Sequence, residues 1–393
     1  MDADVEKKVT ELNAGWFNYL AKILKVDSKT FLLTQGTMGL QSTDSSGLFL
    51  ISDAVPPPAN ATYVDASGLG TRSSAYAMLL QALLSEGGTD LPGVLGDMYA
   101  KWLAYCDSWY DKNPESTLTQ EQLFEQWANQ RLDPKKAASA ISVYKQSSGS
   151  PLSKALDALN ANKNAKQQFV TSDQSTYWLY RYTATIDAAT AALANSSAVS
   201  IDFDSSSMDT HLAHDTVQGT ATGFYDIFSG GVSGSFDKLN SEAAASGWTI
   251  TGTIGQSATL ITQPIGDWFD SGEFKRAYNA KDDRSIWDPM AHAGDWDSFF
   301  EQPQGSLARR VSQLVLVSDY DIKVTSQAVY SSDDRTKITA SANFGVWPFF
   351  SSSASVSHLF ETTLDAEGHL TVTWRLPKGS IQIWGLTVEA APN

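Results

Sequence analysis

The chain has no second cysteine. Cys106 stands alone among 393 residues, so no intrachain disulfide can form and the fold must hold by packing. It lies in the apolar run KWLAYCDSWY and reads as a core residue rather than a nucleophile. Basic residues are few: 28 against 44 acidic ones, a net charge of −16. That balance excludes nucleic acid as a partner, because phosphate binding needs a basic face. It also excludes simple electrostatic docking on anionic lipid. No apolar run approaches the roughly 20 residues of a transmembrane helix. The opening MDADVEKKVTELNAGW lacks the basic and apolar regions of a signal peptide. The expectation is a protein made soluble in the cytoplasm that reaches the cell exterior, if it acts there, by another route. Enzyme signatures are missing too: there is no Gly-x-Ser-x-Gly elbow, no Gly-x-x-x-x-Gly-Lys phosphate loop and no His-Glu-x-x-His. With five histidines, general bases are few, and the balance falls against an enzyme.

Hydrophobic residues, 42% of the chain, are enough to build real cores. Their spacing divides the chain in two. In residues 4–25, Val5, Val9, Leu12, Trp16, Leu20 and Ile23 recur at three- and four-residue steps, one apolar helical stripe. Residues 30–70 break this period and look like short extended pieces. Helical patterns resume in SSAYAMLLQALLSEG, through residues 91–112, and after Thr119, where Gln122 three residues on gives a capping-box spacing. Further helices are expected at 134–147, 151–164 and, longest of all, 166–195. Residues 1–198 therefore read as an all-α domain.

From about residue 199 the period changes to two. In FSGGVSGSFD, Phe228, Val232 and Phe236 oppose Ser229, Ser233 and Ser235. In KITASANF, Ile338, Ala340, Ala342 and Phe344 oppose Lys337, Thr339, Ser341 and Asn343. The two regions resemble each other: an alternating strand, an aromatic turn (GFYDIF or FGVWPFF), a Ser-rich strand and a late Trp, Trp268 or Trp384. The expected class is α+β: the helical domain, then a β-rich, sandwich-like domain over 199–393. That second domain is read as two related repeats, about 199–275 and 312–393, joined by a connector at 276–311.

The aromatic-tipped hairpins are the leading candidate site. Membrane-spanning strands need roughly 9 to 11 residues with one lipid face and one wet face. Residues 211–222 with 229–238, and 336–344 with 351–359, approach that length. Phe224, Tyr225, Phe228, Trp347, Phe349 and Phe350 would sit at the interface, where aromatic rings are favoured. Metal ligands are a weaker expectation. Asp209, His211, His214 and Asp215 cluster in MDTHLAHD, but on a strand His211 and His214 point to opposite faces. The connector carries Asp283, Asp295 and Asp297 among other acids, oxygens that suit calcium or a glycosidase-like carboxylate pair, without an ordered calcium loop. No cofactor is expected, calcium being the one ion the pattern leaves room for. Twelve tryptophans could stack on sugars, but Trp16, Trp102, Trp178 and Trp268 fall where the patterning expects core.

Together these features point first to a soluble toxin or defence-type protein that binds a target-cell membrane, surface receptor or glycan. Pore formation through the hairpins and assembly as a homo-oligomer belong to that reading. A lectin-like recognition or assembly module is the alternative, and a hydrolase using the acids of residues 282–297 the third.

Overall fold

A computed structural model describes residues 3–40, 44–57, 63–64, 70–84, 91–113, 116–147, 150–160, 165–171, 173–211, 228–229, 242–243, 245–288, 294–302, 304–340, 345–346 and 359–392. Its helices are α1 (Ala3–Ile23), α2 (Ser46–Ser52), α3 (Arg72–Ala82), α4 (Leu91–Leu95), α5 (Met98–Lys112), α6 (Gln120–Arg131), α7 (Pro134–Ser147), α8 (Pro151–Asn160), α9 (Ile186–Ala194), α10 (Ser271–Asn279), α11 (Trp296–Phe300) and α12 (Ser332–Ala340). The strands are β1 (Phe31–Leu40), β2 (Tyr63–Val64), β3 (Lys166–Val170), β4 (Thr176–Tyr180), β5 (Val199–Asp204), β6 (Phe228–Ser229), β7 (Trp248–Ile261), β8 (Arg309–Val329), β9 (Gly345–Val346), β10 (Leu359–Leu364), β11 (His369–Leu376) and β12 (Ile381–Ala390).

The spine of the fold is β8. Along one edge it pairs antiparallel with β7, from Gln313↔Ile261 to Ser326↔Trp248. Along the other edge it meets β12 over its first half and β11 over its second. β5 extends the β7 side, β10 the β11 side and β1 the β12 side, giving an eight-stranded sheet among the described residues. The two halves of β8 differ in cover. Leu314, Val315, Leu316 and Val317 are buried in succession, so both faces are packed. From Tyr320 onward, buried Tyr320, Ile322 and Val324 alternate with half-exposed or exposed Asp321, Lys323 and Thr325. Among the described residues, this second half, with β5, β7, β11 and β10, is a wing with a core packed on one face. Its other face carries a polar ladder in which Thr325 and Thr371 hydroxyls meet at 2.9 Å and Arg375 Nε donates to Asp321 at 2.9 Å. The halves meet at an irregularity: a Cβ on Gly255 would lie 2.8 Å from the Asp319 carbonyl, and Asp319 has φ 56°. Gly252 approaches more closely still; a Cβ there would stand 2.1 Å from the Asp321 carbonyl, so any side chain would force the ladder apart.

α1 covers the inner face of the wing. Leu12, Trp16, Phe17 and Leu20 are buried against Phe203, Ile250 and Val324, each contributing about 2 kcal/mol of burial. The helix ends in a Schellman turn without glycine: Lys25 takes φ 56°, and Val26 N–H donates to Ala21 O at 3.0 Å. At α6 the expected capping box forms, Thr119 and Gln122 each bonding the other's backbone N–H.

The mixture of helix and antiparallel sheet agrees with the sequence reading, but its layout differs. β1 to β4 lie before residue 198 and α10 to α12 after it, so helix and strand are not segregated there. β1 joins the C-terminal strands through β12, so among the described residues one eight-stranded sheet runs across the boundary expected near residue 198. Residues 166–195 are not one helix but the β3–β4 hairpin followed by α9. Aromatic and β-branched Phe169, Val170, Thr176, Tyr177 and Trp178 favour strands. Asp173 closes the turn by accepting from Ser175 N–H and Oγ, with Gln174 at φ 68°. The strand expected from residue 336 is helical to Ala340. Its start is locked reciprocally, Asp334 accepting from Ser331 N–H and Oγ while Ser331 Oγ accepts from Asp334 N–H. The proposed repeats also differ in topology. β5 and β7 are antiparallel neighbours, whereas β8 and β10 run parallel with β11 between them. Trp268 lies in a loop packed on Tyr180, while Trp384 lies within β12 against Tyr320.

Candidate functional site

Two inserts leave the wing at the end where β8 finishes. The first, residues 205–247, joins β5 to β7. These strands stay paired up to Asp204↔Thr249, so the insert leaves and returns at one level of the sheet. Its roots are tied down. Asp204 Oδ1 accepts from Ser206 N–H at 2.8 Å, which holds the Asp204 carboxyl below its usual range. Ser205 Oγ accepts from Trp248 N–H at 2.7 Å, and the buried Trp248 indole donates to Ala243 O at 2.7 Å. α1 grips the outgoing chain. Asn18 Nδ2 donates to the carbonyls of Asp209 and His211, at 2.8 and 3.0 Å. Gly15 makes room for Met208, whose Sδ would lie 2.6 Å from any Cβ at position 15.

The second insert, residues 330–358, starts beside the same end: Tyr330 N–H donates to Gly368 O at 2.7 Å. It rejoins the sheet lower down, since Leu359 pairs with Arg375, which pairs with Asp321. α12 occupies its first part and crosses the outer edge of β10, where Arg335 Nη2 donates to Thr362 O at 2.9 Å. At the opposite edge, Tyr19 OH accepts from Asp202 N–H of β5 at 2.6 Å. Both outer strands of the wing thus have a backbone group occupied by a helix side chain, the usual protection against edge-to-edge pairing. The two inserts meet through β6 and β9, Phe228↔Val346 and Ser229↔Gly345.

The backbone of Phe228 therefore lies against the second insert. Phe224, Tyr225, Trp347, Phe349 and Phe350 fall outside the described residues, as do His214 and Asp215. Asp209 and His211 are exposed, and Asp209 Oδ1 is engaged by His211 N–H in a local turn. In the connector, Asp283 caps Ser285 and Asp295 caps α11 through Ser298; these hydrogen bonds hold both carboxyls below their usual range. Asp297 is exposed in the first turn of α11. Each acts within its own turn. One group was missed by sequence reasoning: Asp365, Glu367 and His369 at the β10–β11 turn bring a ligand atom each within 4.8 Å of one another. The spacing Asp-x-Glu-x-His was its signal. Asp365 already serves that turn, accepting from the backbone N–H of Glu367 and His369 and lying 2.9 Å from His369 Nδ1.

A buried polar junction was missed as well. The Asp53 carboxylate accepts from Ser73 N–H, Ser73 Oγ and Tyr182 OH, the last at 2.7 Å. Burial pushes the Asp53 carboxyl up against these favourable bonds. Beside it, burial lowers Arg72 to about 10, and its guanidinium lies over the Phe269 and Phe274 rings at 5.1 and 5.2 Å. The junction ties α2, α3 and the β4–α9 link together. Trp16, Trp102 and Trp268 are buried, as expected, and not offered to a sugar; Trp178 is half-buried.

No protein-family model matches the chain, and neither the curated proteins nor the solved structures include a significant match. No helix among the described residues is long and apolar enough to cross a membrane.

Proposed function

We propose that this protein acts at a target-cell surface, and that residues 208–211 leave their seat on α1 so that the insert 205–247 prolongs β5 and β7 as a membrane-entering hairpin. The observation that carries this reading is the pairing of β5 with β7 up to Asp204↔Thr249. A hairpin grown from that point continues the existing ladder without changing its register. The insert is long enough, since roughly 10 residues per strand cross the hydrocarbon. Its alternation of Ser and Thr with Val, Ala, Gly and Phe gives one wet and one apolar face.

The apolar face is mostly small, so transfer energy per residue is weak. A lone hairpin would also leave two unpaired edges in lipid, each group costing several kcal/mol. Insertion therefore requires copies closing into a ring, and the helix side chains on the β5 and β10 edges must give way first. Net charge −16 directs docking to a receptor or neutral lipid rather than anionic lipid.

The test is dye release from vesicles by wild type and by a Gly15→Cys/Met208→Cys variant, in which Cys106 is the only other cysteine and is buried. A Cβ at position 15 lies 2.9 Å from Met208 Cβ, within about 1 Å of disulfide geometry. The oxidised variant should retain the dye, and reductant should restore release. No release by wild type on any lipid or receptor extract defeats the reading; release unaffected by the crosslink defeats the α1 seat.

A further inference from the structure

The first insert is held twice, by different means. Up to Ser205 the chain is fixed to the sheet: Asp204 accepts from Ser206 N–H, and Ser205 Oγ accepts from Trp248 N–H. Beyond that point, among the described residues, the grips on 208–211 come from α1. Met208 packs on the wing core, its Sδ 2.6 Å and its Cγ 2.9 Å from where a Cβ at Gly15 would stand. The sulfur thus lies on bare helix backbone, a contact that only glycine allows. About one turn on, Asn18 Nδ2 donates to the carbonyls of Asp209 and His211. The Met208 side chain is nevertheless only half-buried, so a small oxidant reaches it. We propose that Met208 is a peroxide-sensitive latch: its oxidation to the sulfoxide by hydrogen peroxide lifts residues 208–211 off α1. As regulation of the hairpin, this rests on the membrane reading above; as a modification of the seat, it stands on the Met208 and Asn18 contacts.

The chemistry is an oxygen-atom transfer. A lone pair on Sδ attacks one peroxide oxygen, the O–O bond breaks, the sulfur loses two electrons and water leaves. A flexible apolar side chain becomes a polar one. The new oxygen has no place on the Gly15 side, because the sulfur already fills the space a methyl carbon would need. Both hydrogens of the Asn18 amide, the polar group of the grip, are already given to carbonyls. A polar oxygen kept from water without a donor is unfavourable. Turning it to solvent rotates the thioether away from Gly15 and breaks the apolar contact, and the Asn18 bonds lie within the next three residues. Leucine at this position would supply similar apolar bulk with nothing to oxidise, which makes it the control.

The test places maleimide spin labels at Lys22→Cys and Thr210→Cys, both exposed positions, in the full chain with Cys106→Ala. Pulsed electron resonance reads the distance between them before and after hydrogen peroxide. Peptide mass spectrometry follows each methionine, with 43%-exposed Met78 as the internal reference. The labelled parent should lose most of its narrow short-distance component, in proportion to sulfoxide at Met208. Met208→Leu should keep that component at the same peroxide dose, although its other methionines still oxidise. Met208→Gln, with a polar amide in place of the thioether, should lose it with no peroxide; if that variant fails to fold, Met208→Leu still decides. A parent that keeps the narrow component while carrying the sulfoxide, equal loss in Met208→Leu, or a Met208 left unoxidised after Met78 has fully converted would each overturn the latch. No vesicle enters the measurement, so labels that separate on oxidation support the latch even if dye release fails, and that failure counts against the membrane reading alone.

Discussion

The two inserts carry the same residue pattern, Ser and Thr alternating with small apolar residues around an aromatic turn, yet the sheet treats them differently. Residues 205–247 bridge neighbouring antiparallel strands and return to the level they left. Residues 330–358 bridge parallel strands with β11 between them and rejoin lower down, with α12 on the way. Composition alone makes both look like membrane hairpins. Topology permits only the first to lengthen its parent strands in place; the second would first have to give up α12 and its seat on the β10 edge. Amphipathic alternation is a statement about faces, whereas extension of a strand depends on where its partner ends.

The largest expected effect lies at the roots of the inserts. Trp248→Ala removes a buried anchor of the first and should cost about 3–5 kcal/mol in urea unfolding. Tyr330→Phe, at the root of the second, removes only the hydroxyl that meets Ser326 Oγ at 3.0 Å and should cost about 1 kcal/mol. Equal losses would break the contrast. Next, Gly15→Leu overpacks the α1 seat against Met208 and should cost about 1–3 kcal/mol; stopped-flow dye release should become faster, and slower release would contradict the seat. Asp334→Ala removes one half of the α12 cap, about 1 kcal/mol, and should leave the release rate unchanged. The smallest effect is one of pH. The Asp204 carboxyl is lowered by the hydrogen bond from Ser206 N–H, so its contribution is present above its ordinary value of 3.8 and is lost as pH falls through the folded value. Protease cleavage within 212–241 should therefore rise on acidification below about pH 4, and Asp204→Asn should flatten that rise.

Much of the fold was legible where local rules acted alone. The apolar stripe of α1 and the Thr119–Gln122 box could be read directly, because helix periodicity and capping are properties of a few adjacent residues. Residues 166–180 were misread because aromatics at helix-like spacing concealed a strand–turn–strand whose signal was the TSDQS turn. Residues 332–340 were misread in the opposite sense: the alternation of KITASA outweighed the Ser331 and Asp334 cap standing just before it. The pairing of β1 with β12 joins segments some 350 residues apart, Phe31 with Thr387 for example, and no local pattern encodes it. The Asp53 junction and the α1 grip on Met208 are likewise products of long-range packing. Their residues look like ordinary helix and loop until they converge.

The most direct test of the contrast between the inserts is a scan with an environment-sensitive dye on single cysteines, in a Cys106→Ala background, on vesicles. The positions are 216–222 and 229–238 in the first insert and 332–340 in the second. Emission should alternate with a period of two along the first insert and not along 332–340. A helical period in the first insert, or the same two-residue alternation in both, would contradict it.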